Sequence, residues 1–259
     1  MGQVVVVTSL KGGVGKTVFS AGLAYVLAQQ GKRVLAVDMD LGTGGLDIAL
    51  GREDSILPTY LDLLTGMAKP EDSLFPGDDG IYFLSAPVFF NESSLQSVDR
   101  ETFDSLLTFL KENFDFILFD MPAGGGAAFR FLDGNELVDQ TVLVTTSAPT
   151  AVRAAERCAM RLQSPERTKL LLNCFHLSRP QDNPLGVVEI IRRASVPIIG
   201  AVPFDSGAEK ALAKGVPLSA NPKSLAGKAI YNVYCRLTGR NVPLFSGVIP
   251  KKRRERFYW

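Results

Sequence analysis

Histidine is nearly absent from this chain: its 259 residues include one, His176. A lone histidine just past a strand-like run is more often a surface or capping residue than a catalyst, and it is assigned no role. Cysteine is scarce too. Cys158, Cys174 and Cys235 are odd in number and far apart, which excludes a disulfide framework or thiolate metal site and fits buried thiols of a cytosolic protein. No hydrophobic run approaches the ~20 residues of a membrane-spanning helix. No basic segment precedes the first apolar run, so no secretory leader is expected. Neither sign of charge dominates: 28 Lys and Arg against 27 Asp and Glu leave a net +1, so no global field argues for nucleic acid. What the chain does have is 46% apolar residues, enough for a substantial core.

The apolar residues fall into strand-like runs with helical patterns between them. Strands are expected at 3–8, 33–38, 80–85, 115–120, 138–145, 167–172 and 197–202. Helices are expected at 16–30, 58–66, 99–113, 149–162, 184–194, 205–213 and 221–239. Most strand runs are continuously apolar, as when both faces of a parallel sheet are covered. The alternation predicts an α/β fold: a doubly wound, mostly parallel sheet with ligands at the carboxyl ends of its strands. No repeat or linker divides the chain. One domain is expected over residues 1–240, with a basic, aromatic tail at 241–259.

Residues 11 to 17 read KGGVGKT between the run Val4-Val5-Val6-Val7 and an apolar-periodic stretch from Val18 to Leu27. Gly15, Lys16 and Thr17 fit the end of a phosphate-binding loop, G-x-x-x-x-G-K-[ST], whose first glycine would fall on Leu10. The backbone of Gly12, Gly13, Val14 and Gly15 can curl N–H groups around phosphate oxygens. Lys16 can reach the β- and γ-phosphates of ATP, and the Thr17 hydroxyl can bind Mg²⁺. A helix starting here aims its N-terminus at the anion. Lys11 is a second cation, which costs desolvation unless it meets further negative charge. Its most economical use is to reach the nucleotide of a second subunit.

Two more strand ends carry carboxylates. Asp38 and Asp40 close the run VLAVDMD, one residue apart and on the same side of a strand. Asp40 is read as orienting or deprotonating an attacking water, and Asp38 as supporting the Mg²⁺ shell. Asp120 ends FDFILFD and can hold a metal-bound water. The glycines at 124–126 that follow can sense a γ-phosphate.

The string KGGVGKT is a deviant Walker A motif, and the chain resembles the MinD/ParA family of P-loop ATPases along essentially its whole length. DMDLGTGGLDIALG, TTSAPTAVRAAER and SLAGKAIYNVYCRLTGRNVPL look like MinD-type segments. The resemblance implies ATP and Mg²⁺ as ligands, hydrolysis of ATP and a dimer that forms on ATP. It makes Asn173 a hydrogen-bonding partner of the adenine, and Pro203 a residue packed near it. It implies spatial regulation of cell division with a regulatory partner of MinC or MinE type. Two departures fall near the family's dimer and partner surface. Gly44-Gly45 stand where Arg-Asn is usual, and Ala154 replaces an acidic residue while Glu156 is kept. The same loop occurs in the nitrogenase iron protein, but that protein needs cysteines near the 120s and this chain has none there. A DNA-partitioning ATPase of the ParA type and a flagellar-number regulator are the other readings. DNA is the less favoured partner.

The family's membrane helix has a counterpart in FSGVIPKKRRERFYW at 245–259. Phe245, Val248 and Ile249 fall at helical spacing. Residues 251–256 carry five cations and one anion, a net +4, and Phe257, Tyr258 and Trp259 are interfacial aromatics. Pro250 interrupts a continuous helix. The expectation is a cytoplasmic protein, peripheral at the inner face of the cell membrane, held to an anionic surface by residues 245–259.

Overall fold

The computed structural model describes residues 1–41, 44–53, 58–87, 98–177 and 182–249. Seven strands form one sheet: β1 (Gln3–Ser9), β2 (Val34–Asp38), β3 (Ile81–Leu84), β4 (Phe116–Ala123), β5 (Gln140–Thr145), β6 (Thr168–Phe175) and β7 (Ile198–Pro203). Their order is β3-β2-β4-β1-β5-β6-β7, and every strand pairing is parallel. The seven expected strands are all present. The continuous apolar runs serve two cores by alternation. Val5, Val7, Ala36 and Leu118 face one cluster, while Val4, Val6, Val37 and Ile117 face the other. Both sheet faces are therefore covered, which is why no strand needs a polar side.

Ten helices were found among the described residues: α1 (Lys16–Gln29), α2 (Leu46–Ala49), α3 (Tyr60–Leu64), α4 (Pro70–Ser73), α5 (Arg100–Asn113), α6 (Phe129–Leu132), α7 (Pro149–Ala159), α8 (Val187–Ala194), α9 (Ala208–Leu212) and α10 (Leu225–Leu237). Expected ends move inward where a cap intervenes. The helix expected at 58–66 starts at Tyr60 because Thr59 and Asp62 form a reciprocal capping box. The helix expected at 221–239 starts after Ser224, whose side chain accepts the Gly227 N–H at 3.0 Å. The short helices α2, α4 and α6 are too brief to show a helical period in sequence.

The chain crosses from one side of β1 to the other between β4 and β5. The carboxyl ends of β1, β2 and β4 thus meet at a switch point, where open α/β sheets bind ligands. β4 was expected to stop at Asp120. It runs on to Ala123, and Asp120 lies level with Val7 of β1 and Asp38 of β2.

The stretch from 241 to 249 corrects part of the tail expectation. Phe245 is fully buried, and Val248 and Ile249 are buried with it in the cluster around α10 and β7. Arg236 binds this segment by donating to the carbonyls of Val242 at 2.9 Å and Pro243 at 2.8 Å, and it reaches Ile199 of β7 at 2.8 Å. Asn232 Nδ2 donates to the Ser246 carbonyl at 2.7 Å. The helical spacing of Phe245, Val248 and Ile249 therefore serves the protein's own core and not a bilayer. Residues 250–259 lie outside the described residues. Phe245→Ala should lower unfolding stability by about 3–5 kcal/mol in denaturant titration, as for a buried aromatic. A change under about 1 kcal/mol, the usual effect at the surface, would contradict this packing.

Candidate functional site: a phosphate loop over a buried carboxylate

The loop between β1 and α1 is shaped by backbone that only glycine adopts freely. Gly15 has φ of 86°, and a Cβ there would overlap Asn173 Nδ2. The loop is pinned from below, since Asn173 Nδ2 donates to the Val14 carbonyl at 2.8 Å. Val14 is buried, whereas Gly12 and Gly13 face solvent. Gly15 begins α1 without a side-chain cap, and no acidic residue lies in the first turn. The first N–H groups of a long helix are therefore left for an external anion.

Beneath the loop sits Asp120, almost fully buried. It accepts hydrogen bonds from Thr17 Oγ1 at 2.7 Å and Ser20 Oγ at 2.7 Å. Burial pushes its pKa up to about 7; the two hydroxyls pull it down, the nearby Asp38 charge raises it and Lys16 lowers it. Lys16 is itself 8% exposed. Desolvation lowers its pKa, against the opposing charges of Asp120 and Asp40. Both groups are held in environments that disfavour their charges. A phosphate beside Lys16 and a cation beside Thr17 and Asp120 would relieve each.

Asp38 is 1% exposed and clamps the chain that follows it. Its Oδ1 accepts the Asp40 N–H at 2.9 Å and its Oδ2 accepts the Leu46 N–H at 3.0 Å. Burial raises its pKa to about 6, while the two backbone hydrogen bonds oppose the shift. Between these anchors, Gly44 and Gly45 have φ of 59° and 135°. A side chain at either position would be strained, so the departure from Arg-Asn matches this turn. A Cβ on Gly45 would lie 3.9 Å from Thr17 Cγ2, which puts the turn against the phosphate loop.

The third wall follows β4. Gly124, Gly125 and Gly126 have φ of 83°, 88° and 63°. The Gly124 N–H donates to the Ser9 carbonyl at 3.0 Å, and a Cβ on Gly12 would lie 3.8 Å from Ala123 Cβ. Lys11 stands at the mouth, half-buried, its N–H donating to Ser9 Oγ at 3.1 Å. Among the described residues its side chain forms no ion pair.

The fold thus gathers Lys16, Thr17, Asp38, Asp40 and Asp120 under one loop. Asn173 reaches the same loop from β6. Pro203 is buried at the end of β7, opposite Phe175, one strand further from the loop. Sequence reasoning missed Ser9, which joins the phosphate loop to the 124–126 turn, and Ser20, the second donor to Asp120. Ser20 could have been found: it follows Thr17 by three residues on one helix face. Among the described residues no three His, Cys, Asp or Glu side chains converge as a metal cage. Mg²⁺ does not need one, because it keeps several waters and takes phosphate oxygens. The hydroxyl–carboxylate pair of Thr17 and Asp120 and the loop above it fit Mg²⁺ and a polyphosphate together.

The raised carboxyl pKa makes a pH prediction. In the unfolded chain Asp120 titrates near 3.8, and in the ligand-free fold near 7. The folded state therefore holds a proton that the unfolded state releases. This contribution to stability is full below 3.8 and is lost as pH rises through 7. Between pH 8 and 5 the thermal midpoint of the ligand-free wild type should rise relative to that of Asp120→Asn. Parallel pH profiles for the two would contradict the buried-acid assignment.

Comparison with known proteins agrees with this geometry. Residues 5–218 match the CobQ/CobB/MinD/ParA nucleotide binding domain. The septum site-determining protein MinD of Bacillus subtilis is 34% identical over 252 residues, covering 94% of this chain and 92% of that protein. The MinC:MinD cell division complex of Aquifex aeolicus superposes with a TM-score of 0.82 at 29% identity, covering 94% of this chain and 98% of that one. MinD of Pyrococcus horikoshii, solved with Mg-ADP, gives 0.76 at 26% identity, covering 92% and 96%. With its phosphate loop, its parallel sheet and these relatives, the chain belongs to the CobQ/CobB/MinD/ParA family of nucleotide-binding domains.

Proposed function

We propose that this protein is an ATP-hydrolysing switch of the MinD type, which dimerises on ATP and serves septum placement in cell division. The observation that carries the reading is the buried Lys16 and the Thr17–Asp120 pair beneath an uncapped helix N-terminus. Four relatives' names and titles support the division role, and the Aquifex complex supports a partner of MinC type.

In this reading the loop N–H groups from Gly12 to Gly15 cradle the phosphates of ATP, and Lys16 neutralises charge between the β- and γ-phosphates. Thr17 and Asp120 would hold Mg²⁺ beside the phosphates, where it would supply charge stabilisation for phosphoryl transfer. Asp38 supports the shell from behind by fixing the Asp40 peptide. Asp40 orients the attacking water or takes its proton. Asn173 and Pro203 line the adenine side. Lys11, at the mouth, crosses to the phosphates of a second subunit, so that ATP bridges the dimer.

The site predictions follow from charge. Lys16→Ala should lose ATP binding in equilibrium dialysis, because the phosphates lose their main counter-charge. Lys11→Ala should bind ATP as a monomer yet fail to dimerise or hydrolyse. Unchanged ATP affinity in the first, or dimers at normal yield in the second, would refute the assigned role.

For membrane binding the buried Phe245 moves the boundary: the peripheral segment is 250–259, with its net +4 at 251–256 and three terminal aromatics. No helix among the described residues is long and apolar enough to cross a membrane. A basic stretch near an anionic leaflet gains ~1 kcal/mol per cation. Two tails on one dimer raise avidity by roughly 10² or more. Sedimentation with anionic liposomes should therefore need ATP, weaken with salt and vanish when the chain is cut after Ile249. Undiminished sedimentation of the cut protein would exclude the tail as anchor. Salt-sensitive DNA binding without liposome binding would favour the ParA-type reading.

A further inference from the structure

The net charge of +1 conceals a division along the chain. Residues 1–209 carry 17 Lys and Arg against 26 Asp and Glu, a net −9. Residues 210–259 carry 11 against one, a net +10, and no acidic residue occurs between Lys210 and Arg254. An asymmetry of this size points to an anionic macromolecular surface as a partner.

The fold gathers the folded part of this basic segment around two adjoining clefts. α9 and the chain after it line a cleft of about 450 Å³ with Lys210, Lys214, Val216 and Asn221. A second cleft of about 330 Å³ meets it at Asn221 and is lined by Lys228 and Tyr231 of α10. Lys223 follows this junction, its N–H donating to Asn221 Oδ1 at 3.0 Å. All four lysines are exposed, and among the described residues none forms an ion pair. At the far end the Arg240 guanidinium lies 5.8 Å from the ring centroid of Tyr231 and 4.9 Å from that of Tyr234. Apolar groups are set among the cations: Val216 is 45% exposed, Leu225 41% and Tyr231 38%. Cations interleaved with apolar and aromatic side chains suit the boundary between water and a bilayer. The face also runs into the tail. Asn232, next to Tyr231, holds the Ser246 carbonyl at 2.7 Å, so the chain leading to 250–259 is laid on the helix that carries Lys228.

We propose that this α9–α10 face is a second membrane-contact surface, which docks the folded domain on the phosphate headgroups of an anionic bilayer. The proposal rests on the membrane reading of residues 250–259 and goes beyond it, since the contacts come from the folded domain. The lysine ammonium groups reach headgroup phosphates, while their stems and the rings and methyls of Tyr231, Leu225 and Val216 lie along the interface. The net −9 of residues 1–209 is repelled by the same leaflet, which leaves the lysine face as the side that approaches. The tail tethers the protein and the face orients it. Without the tail's aromatics the face gives only a salt-labile encounter, because exposed charges are screened within a Debye length.

The test uses the full chain with ATP and Mg²⁺, with and without vesicles of phosphatidylglycerol and phosphatidylethanolamine. Lysines are acetylated at low dose and each site is read by mass spectrometry. On vesicles Lys210, Lys214, Lys223 and Lys228 should be labelled about fivefold less, while exposed Lys69 is labelled as in solution. The triple variant Lys210→Gln, Lys214→Gln, Lys228→Gln should lose about tenfold or more in vesicle affinity. Removing three exposed cations elsewhere, by Lys69→Gln, Arg100→Gln and Arg192→Gln, should cost less than about threefold, since distant charges are screened. Equal losses in the two triple variants would overturn the docking, because total charge and not this face would be read. Protection of Lys251 and Lys252 alone would also overturn it, yet leave the tail as anchor. A wild type that neither sediments with vesicles nor gains any protection would overturn the membrane reading itself. Duplex DNA is the competing anion. Protection of the four lysines by DNA and not by vesicles would overturn the bilayer as occupant and assign the face to nucleic acid.

Discussion

Asp120 is the residue on which the rest of the site depends. A carboxylate sealed inside a sheet is costly unless hydrogen bonds replace water. Here both replacements come from one helix, through Thr17 and Ser20 at 2.7 Å each. This pair of bonds locks α1 over β4 and so places the phosphate loop above the sheet. Lys16 opens the same helix, one residue before Thr17. Asp38 lies level with Asp120 on the neighbouring strand, and its charge helps push the Asp120 pKa upward. Without a ligand, the cluster holds two carboxyls and an ammonium that each pay in desolvation. The binding energy of a polyphosphate with its cation is thus prepared in advance by the fold.

The segments around this centre are tied to it by hydrogen bonds to their backbone. The turn after β2 hangs on the Asp38 carboxylate through the amides of Asp40 and Leu46. The turn after β4 is bonded to β1 through Gly124 and Ser9. Both turns contain consecutive glycines with positive φ. Such glycines let the backbone of these turns change conformation at little steric cost. A ligand that contacts Asp38, Asp40 or the 124–126 backbone can therefore shift these turns, which is the physical requirement for a nucleotide switch.

The C-terminal region shows how a correct pattern can be given the wrong partner. Phe245, Val248 and Ile249 have amphipathic spacing, and spacing alone does not distinguish a bilayer from a protein groove. Arg236 and Asn232 on α10 decide it by binding the carbonyls of Val242, Pro243 and Ser246, which lays the segment on the core. Their hydrogen bonds join residues that sequence periodicity treats as separate elements.

The sequence by itself determined the seven parallel strands, because most are continuous apolar runs that only two covered faces can accommodate. It also determined the phosphate loop, because glycine, lysine and threonine at that spacing encode backbone shape and chemistry locally. It located Asp38, Asp40 and Asp120, since a charge ending an apolar run is legible without coordinates. Tertiary structure alone decided how they are held: Ser20 beneath Asp120, Asn173 under Val14, and both Asp38 oxygens on backbone amides. It alone also set Phe204 against His176. Apart from the Asp40 amide, two residues from Asp38, these hydrogen bonds join groups 8 to 159 residues apart in sequence. No local pattern records such a pairing, because burial and hydrogen-bond partners are created only when the strands take their order in the sheet.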